Sequence, residues 1–149
     1  MKLSSPAFPD KGDIPEKYGY TKDNVNPPVE FSDVPEEAES LVLVVDDPDA
    51  VEPAGKVWDH WLMWDIPEET ERIGEGEKPI GAVEGKNDFG DKSYGGPNPP
   101  DREHIYRFRL YALDKELDLE SNTGKKQLLN QIEENIIEQT KLEGSFKPV

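Results

Sequence analysis

The chain has 149 residues, of which 33 are acidic and 17 basic, giving a formal net charge of -16, and it contains no cysteine. That length suits one domain with its own core, expected over residues 1–149. The missing thiols exclude disulfide frameworks, cysteine–zinc sites and thiolate catalysis, and so acidic a chain repels nucleic acid and anionic lipid surfaces.

Low hydropathy with high charge is also the signature of disorder. Three Trp, five Tyr and five Phe in patterned apolar segments argue instead for a folded domain with a solvated acidic skin. A salt-rich cytoplasm suits such a skin, because counterions screen its self-repulsion. No apolar run approaches the roughly 20 residues of a membrane-spanning helix. Met1 to Pro6 lacks the apolar core of a signal peptide, so a cytoplasmic location is expected.

In chain order, Met1 to Glu39 is rich in Pro, Gly, Asp and Asn and holds short extended pieces such as Val29-Glu30-Phe31. Leu41 to Val45 is an apolar, largely β-branched run of strand length, expected to be buried on both faces. The turn-forming cluster Asp46-Asp47-Pro48-Asp49 ends it. Val57 to Ile66 alternates. Trp58, His60, Leu62, Trp64 and Ile66 are expected on one face, and Val57, Asp59, Trp61, Met63 and Asp65 on the other. A short strand is expected at Ile80 to Glu84. Gly85 to Asp101 is a long glycine- and proline-rich loop, and unstructured loops longer than about 12–15 residues are usually functional. His104 to Leu113 is the second clear strand, with His104, Tyr106, Phe108, Leu110 and Ala112 on one face. A helix follows, capped by Asn122 or Thr123, with Leu128, Leu129, Ile132, Ile136 and Ile137 as its apolar stripe. Leu142 to Phe146 reads as a last short strand. The total is strand-dominated with one helix near the C-terminus.

The only two histidines, His60 and His104, each fall on the more apolar face of a strong strand. A buried imidazole must have its ring nitrogens satisfied. Two unrelated core histidines bonded to backbone carbonyls would meet that need; so would a shared pocket. With Asp47 and Asp49 nearby, and a glycine loop able to bring backbone close to a ligand, the pocket reading gives a neutral-to-cationic floor suited to a small anion. The aspartate cluster lacks the oxygen spacing, glycine and closing Glu of a calcium loop. No histidine spacing supports zinc or iron. No serine elbow occurs, and nothing marks Ser93 as activated. No metal and no cofactor is expected.

Several segments together resemble one family, the phosphatidylethanolamine-binding or Raf-kinase-inhibitor-like proteins. They are Asn26-Pro27-Pro28, Leu41 to Ala50 (LVLVVDDPDA), Trp58-Asp59-His60-Trp61-Leu62, and Gly85-Lys86-Asn87-Asp88-Phe89-Gly90. After these come Tyr94 to Pro100 (YGGPNPP), His104 to Phe108 (HIYRF) and Leu110 to Asp114 (LYALD), all in family order. Size and gap lengths resemble the bacterial and archaeal branch, and the acidic skin resembles that of salt-loving archaea. The resemblance implies a mostly β fold, with a large central antiparallel-rich sheet, a smaller sheet and a C-terminal helix. It also implies a small cavity that takes phosphate, phosphorylethanolamine and similar anions. Carried over by position, the wall comprises Asp47, Pro48, Asp49, Trp58, His60, Gly96, Pro97, Pro99, Pro100, His104 and Tyr106. The sequence departs from the family pattern at Val51, at Glu134-Asn135-Ile136-Ile137 and at Phe146.

The leading expectation is a binding protein in which His60 and His104 donate N–H bonds to an oxyanion, Tyr106 donates its hydroxyl and Asp47 orients a histidine. Two alternatives stand beside it: a hydrolase or lyase with a histidine base, and an inhibitor of a kinase or protease acting by protein contact. The expected partners are a small anion, a protein such as a kinase or protease, and a second copy of the chain in a homodimer. Nucleic acid and membrane insertion are not expected. A small polar pocket cannot bury acyl chains, so only a headgroup would be recognised.

Overall fold

A computed structural model describes residues 1–149. It is mostly β, in two sheets. The smaller sheet has β1 (Lys2–Ser4), β3 (Val29–Ser32) and β6 (Arg72–Ile73) in the order β1-β3-β6. The larger has β2 (Gly12–Asp13), β4 (Ser40–Asp47), β5 (Trp58–Ile66), β7 (Val83–Glu84), β8 (His104–Leu113) and β9 (Ile136–Phe146), in the order β2-β9-β8-β4-β5-β7. Every pairing is antiparallel except β2 with β9.

Strand β4 lies between β5 and β8, and all its residues are buried. Alternation fails there because both faces of the sheet are covered. Leu41, Leu43 and Val45 join the larger apolar cluster with Leu3, Val29, Phe31 and Ile73 of the small sheet. Val42 and Val44 join the second cluster, with Leu128 and Ile132 of helix α2 (Lys125–Ile132). Full burial of each such side chain is worth about 1.5–3 kcal/mol. The strand also runs two residues beyond the expected end, so Asp46 and Asp47 belong to the ladder and the turn begins at Pro48.

The expected faces of β5 need correction. Leu41 pairs with Ile66 but Leu43 with Met63, and Val45 pairs with Trp61 but Asp46 with Asp59. β5 therefore carries an extra residue at each of two bulges, and each bulge reverses its alternation. Asp65 at the first has φ 53°; His60 is the extra residue at the second. Trp61, Met63 and Ile66 consequently share the larger cluster, while Leu62 and Trp64 pack in the other.

The helix and final strand also differ from expectation. Helix α2 ends at Ile132, and its N-cap is Gly124 with no side-chain cap, so neither Asn122 nor Thr123 acts as one. Ile136 and Ile137 open β9, which pairs with β8 from Leu113↔Ile136 to His104↔Phe146. That long ladder outweighs a helical pattern that is locally weak. On its other side β9 has a strand partner only at Gly144 and Ser145, which pair with β2. The short strand expected from Ile80 is confined to Val83–Glu84, and Ile80 is exposed. No helix is long and apolar enough to cross a membrane.

Candidate functional site

Strands β4, β5 and β8 bring Asp47, Trp58 and His104 to one end of the large sheet. Asp47 pairs with Trp58, and Asp46 with Arg107 three residues into β8. The chain leaves β4 through a 3-10 turn, Pro48–Ala50, and the single helical turn α1 (Val51–Ala54). Asp47 caps that turn, its Oδ1 accepting from the Asp49 amide at 2.9 Å. Pro48 occupies the first helical position, where its missing N–H costs nothing. The Gly/Pro loop closes the site from the other side and has no regular structure over residues 85–103. Asn87 braces it: its Oδ1 accepts from the amides of Phe89 and Asp91, and its Nδ2 donates to the Ser93 carbonyl.

These elements enclose a cavity of about 200 Å³ lined by Asp47, Ala50, Pro53, Ala54, Trp58, His60, Phe89, Asn98, Pro100, His104 and Tyr106. The Tyr106 ring adjoins both imidazoles, with centroids 5.2 Å from His60 and 6.4 Å from His104. Phe89 packs edge-on against both Trp58 and His60 and stacks on Tyr20 at 4.1 Å.

The two histidines differ in state. His60 Nδ1 donates to the Gly95 carbonyl at 2.7 Å. Burial holds its pKa below the usual histidine value despite that bond and the nearby Asp47 charge. A neutral ring whose proton is given to Gly95 leaves Nε2 as an acceptor. His60 therefore does not offer an oxyanion the N–H bond expected of it. His104 faces carboxylates on both sides: Nδ1 lies 2.6 Å from Asp47 Oδ2, and Nε2 lies 2.7 Å from Asp101 Oδ1. Ionised carboxylates only accept, so each of these two contacts is a hydrogen bond only where the ring nitrogen it meets carries hydrogen. Asp101 is drawn below the usual carboxylate range; burial pushes it up, and the bonds from His104 and nearby backbone outweigh that push.

Two buried donors on the cavity wall make no well-formed hydrogen bond, Trp58 Nε1 and the Tyr106 hydroxyl, the latter lying beside the Asp47 carboxylate and the Asn98 backbone. Burial, then the neighbouring Asp47 charge, raise the Tyr106 pKa far above its ordinary value, so the hydroxyl keeps its proton. Trp64 Nε1 and Arg109 Nε are also unpartnered but lie away from this cavity.

Of the expected wall residues, Asp47, Trp58, His60, Pro100, His104 and Tyr106 surround the cavity; Pro48, Asp49, Gly96, Pro97 and Pro99 do not line it. Asp49 is engaged elsewhere: its Oδ2 accepts from the Ile105 amide, and its Oδ1 lies 3.6 Å from Arg102. Gly96 is glycine because a Cβ there would stand 2.1 Å from the Tyr18 carbonyl oxygen; its close approach is to chain, not to ligand. Sequence reasoning passed over Phe89, Asn98, Pro53 and, above all, Asp101. The position of Asp101 three residues before His104, at the end of the proline-rich loop, was the available signal.

Beneath the site, on the other sheet face, Asp46 is fully buried. It accepts from Arg107 Nε and Nη2 and from Arg109 Nη2, each at 2.9 Å, and from Lys125 Nζ at 3.0 Å. Burial alone would raise its pKa, but these cations hold it below the ordinary value. Lys125 also pairs with Asp59 at 2.6 Å.

Comparison with known proteins agrees with this architecture. A family model described as "Phosphatidylethanolamine-binding protein" matches residues 4–147. A UPF0098 protein of the archaeon Methanothermobacter thermautotrophicus is 42% identical over 152 residues, covering 99% of each chain. The crystal structure of a homologue of that family from Chlamydia trachomatis is 39% identical, with a TM-score of 0.91 and 99% and 97% coverage of this chain and its own. E. coli YbcL, described as a new member of the mammalian family, is 26% identical with a TM-score of 0.91, covering 99% and 98%.

Proposed function

The chain belongs to the phosphatidylethanolamine-binding protein family, and on that premise we propose that it binds a small oxyanion, phosphate or a phosphorylated headgroup, in the cavity between Asp47, Trp58 and Tyr106. The observation that carries the reading is the pair of buried, unpartnered donors, Trp58 Nε1 and the Tyr106 hydroxyl, on the wall of one small cavity. Buried donors are nearly always satisfied, so an acceptor-rich ligand is what this wall lacks. The cavity's roughly 200 Å³ is below the ~300–1,000 Å³ of drug-sized sites, which suits a headgroup without acyl chains.

Calorimetric titration of inorganic phosphate and phosphorylethanolamine tests the proposal. Saturable binding that Trp58→Phe weakens supports it; no heat with either ligand, at any concentration up to millimolar, overturns it. As part of the same reading, occupancy of the pocket modulates contact with a protein partner. Capture of one partner whose retention changes with added phosphate supports this, and retention indifferent to phosphate refutes it. The setting we propose is a salt-rich cytoplasm. Raising KCl shortens the Debye length from ~10 Å at 0.1 M to ~3 Å at 1 M, so the melting temperature should climb across that range. An unchanged midpoint would remove the argument.

A further inference from the structure

Resting on the anion reading above, we propose that Asp101 is a built-in competitor for the ligand at His104, and that this competition makes the pocket select phosphoryl groups over carboxylates. The two carboxylates on His104 are held very differently. The Asp47 side chain is 4% exposed, and the Asp49 amide pins its other oxygen. The Asp101 side chain is 35% exposed, next to Pro100 of the cavity wall, yet its Oδ1 lies 2.7 Å from Nε2. Asp101 thus occupies Nε2, the one ring nitrogen of His104 that Asp47 leaves for a ligand oxygen.

Charge makes the exchange obligatory. With Asp101 in place, two carboxylates flank one imidazole, and even a fully protonated ring would leave the cluster with a net negative charge that opposes an anion. With Asp101 withdrawn, one carboxylate is gone and Nε2 is released to donate to a ligand oxygen. A ligand therefore binds by replacing Asp101, and its gain is the difference between its own contacts and those it displaces. A carboxylate ligand exchanges like for like and gains little. A phosphoryl group carries more charge and more acceptor oxygens, and these additionally reach for the orphan donors on Trp58 and Tyr106. If Asp101 holds the ring in about nine molecules of ten, apparent affinity falls about tenfold below the intrinsic value.

The test is calorimetric titration of phosphate and of acetate at fixed ionic strength and pH into the parent chain, Asp101→Ala and Asp101→Asn, with Glu36→Ala as a control for the change in net charge. Nitrogen NMR of the His104 ring follows the same titrations. Asp101→Ala should bind phosphate about tenfold tighter than the parent and begin to bind acetate. Asp101→Asn should fall between them, Glu36→Ala should match the parent, and the Nε2 signal should move as phosphate enters. If the parent binds phosphate and Asp101→Ala binds it no tighter, the competition is refuted while the anion pocket stands. If neither ligand produces heat or moves the His104 ring in any of the four proteins, the anion reading falls and this inference falls with it.

Discussion

Asp46 and Asp47 are neighbours in one strand, identical in chemistry and both buried, yet they stand on opposite faces of the sheet in opposite circumstances. Asp46 is saturated, with a forked pair of bonds from Arg107 and one each from Arg109 and Lys125. Asp47 fixes a turn and a histidine, and around it lie donors without partners and an open cavity. What separates structural from functional polarity here is completeness. A closed network uses every lone pair and holds the fold; an incomplete one leaves room for a molecule from outside.

Disrupting the closed side should give the largest effect. Asp46→Ala leaves three cationic groups around an empty carboxylate site. Since each is still partly wetted, a loss of about 3 kcal/mol is expected, the low end for breaking a buried pair. Urea denaturation measures it, and a loss under ~1 kcal/mol would show that the network is not saturated in solution. On the open side Tyr106→Phe should behave in the opposite way. It removes a hydroxyl that makes no well-formed bond within the protein, so stability should hold within about 0.5 kcal/mol while phosphate affinity falls about tenfold. A clear loss of stability with unchanged affinity would reverse the assignment of the two faces.

His60 gives a smaller, pH-dependent effect. Its folded pKa lies below the ordinary histidine value because burial disfavours the cation. As pH falls through that value the unfolded chain takes a proton that the folded chain refuses, so stability drops on acidification. The loss should be about 1 kcal/mol between roughly pH 7 and 5.5, and His60→Gln should flatten that slope. A slope surviving the substitution would place its source elsewhere. Smallest of all should be Arg102→Ala, whose contacts to Asp49 and Glu52 are both 3.6 Å long and exposed. Thermal melts should shift by less than about 0.5 kcal/mol, as for other wetted ion pairs.

How much of this was legible in the sequence depended on whether the local pattern matched the long-range pairing. The run Leu41 to Val45 and the alternation from His104 to Leu113 reported their surroundings faithfully, because β4 and β8 pair with each other without a shift and the bulges of the β4–β5 pairing fall on β5. In β5 the alternation was real in the letters and false in space: bulges at Asp65 and His60 depend on the partner strand, and nothing in β5 alone announces them. Ile136 and Ile137 continued a helical spacing, but their place is set by a ladder with residues far back in the chain, which leaves Ile136 exposed. At the site, both histidines, Asp47, Trp58 and Tyr106 were readable from strand faces together with family resemblance. The division of labour between Asp46 and Asp47 was not, since both looked like parts of one turn. Nor was Asp101, one acidic residue among the 33 of the chain, whose importance comes from the nitrogen it touches.

The uneven cover on β9 has a consequence for assembly. From Ile136 to Leu142 its outer edge is hydrogen-bonded into no ladder, and an unpaired edge is a template on which another chain can add. Here that stretch carries Glu138 and Lys141, and the N-terminal ammonium of Met1 sits on Glu138. Edge-to-edge addition would strip water from these charges and bring together two molecules of the same strong negative sign. The acidity that costs the folded chain self-repulsion thus also opposes runaway polymerisation through this unpaired edge.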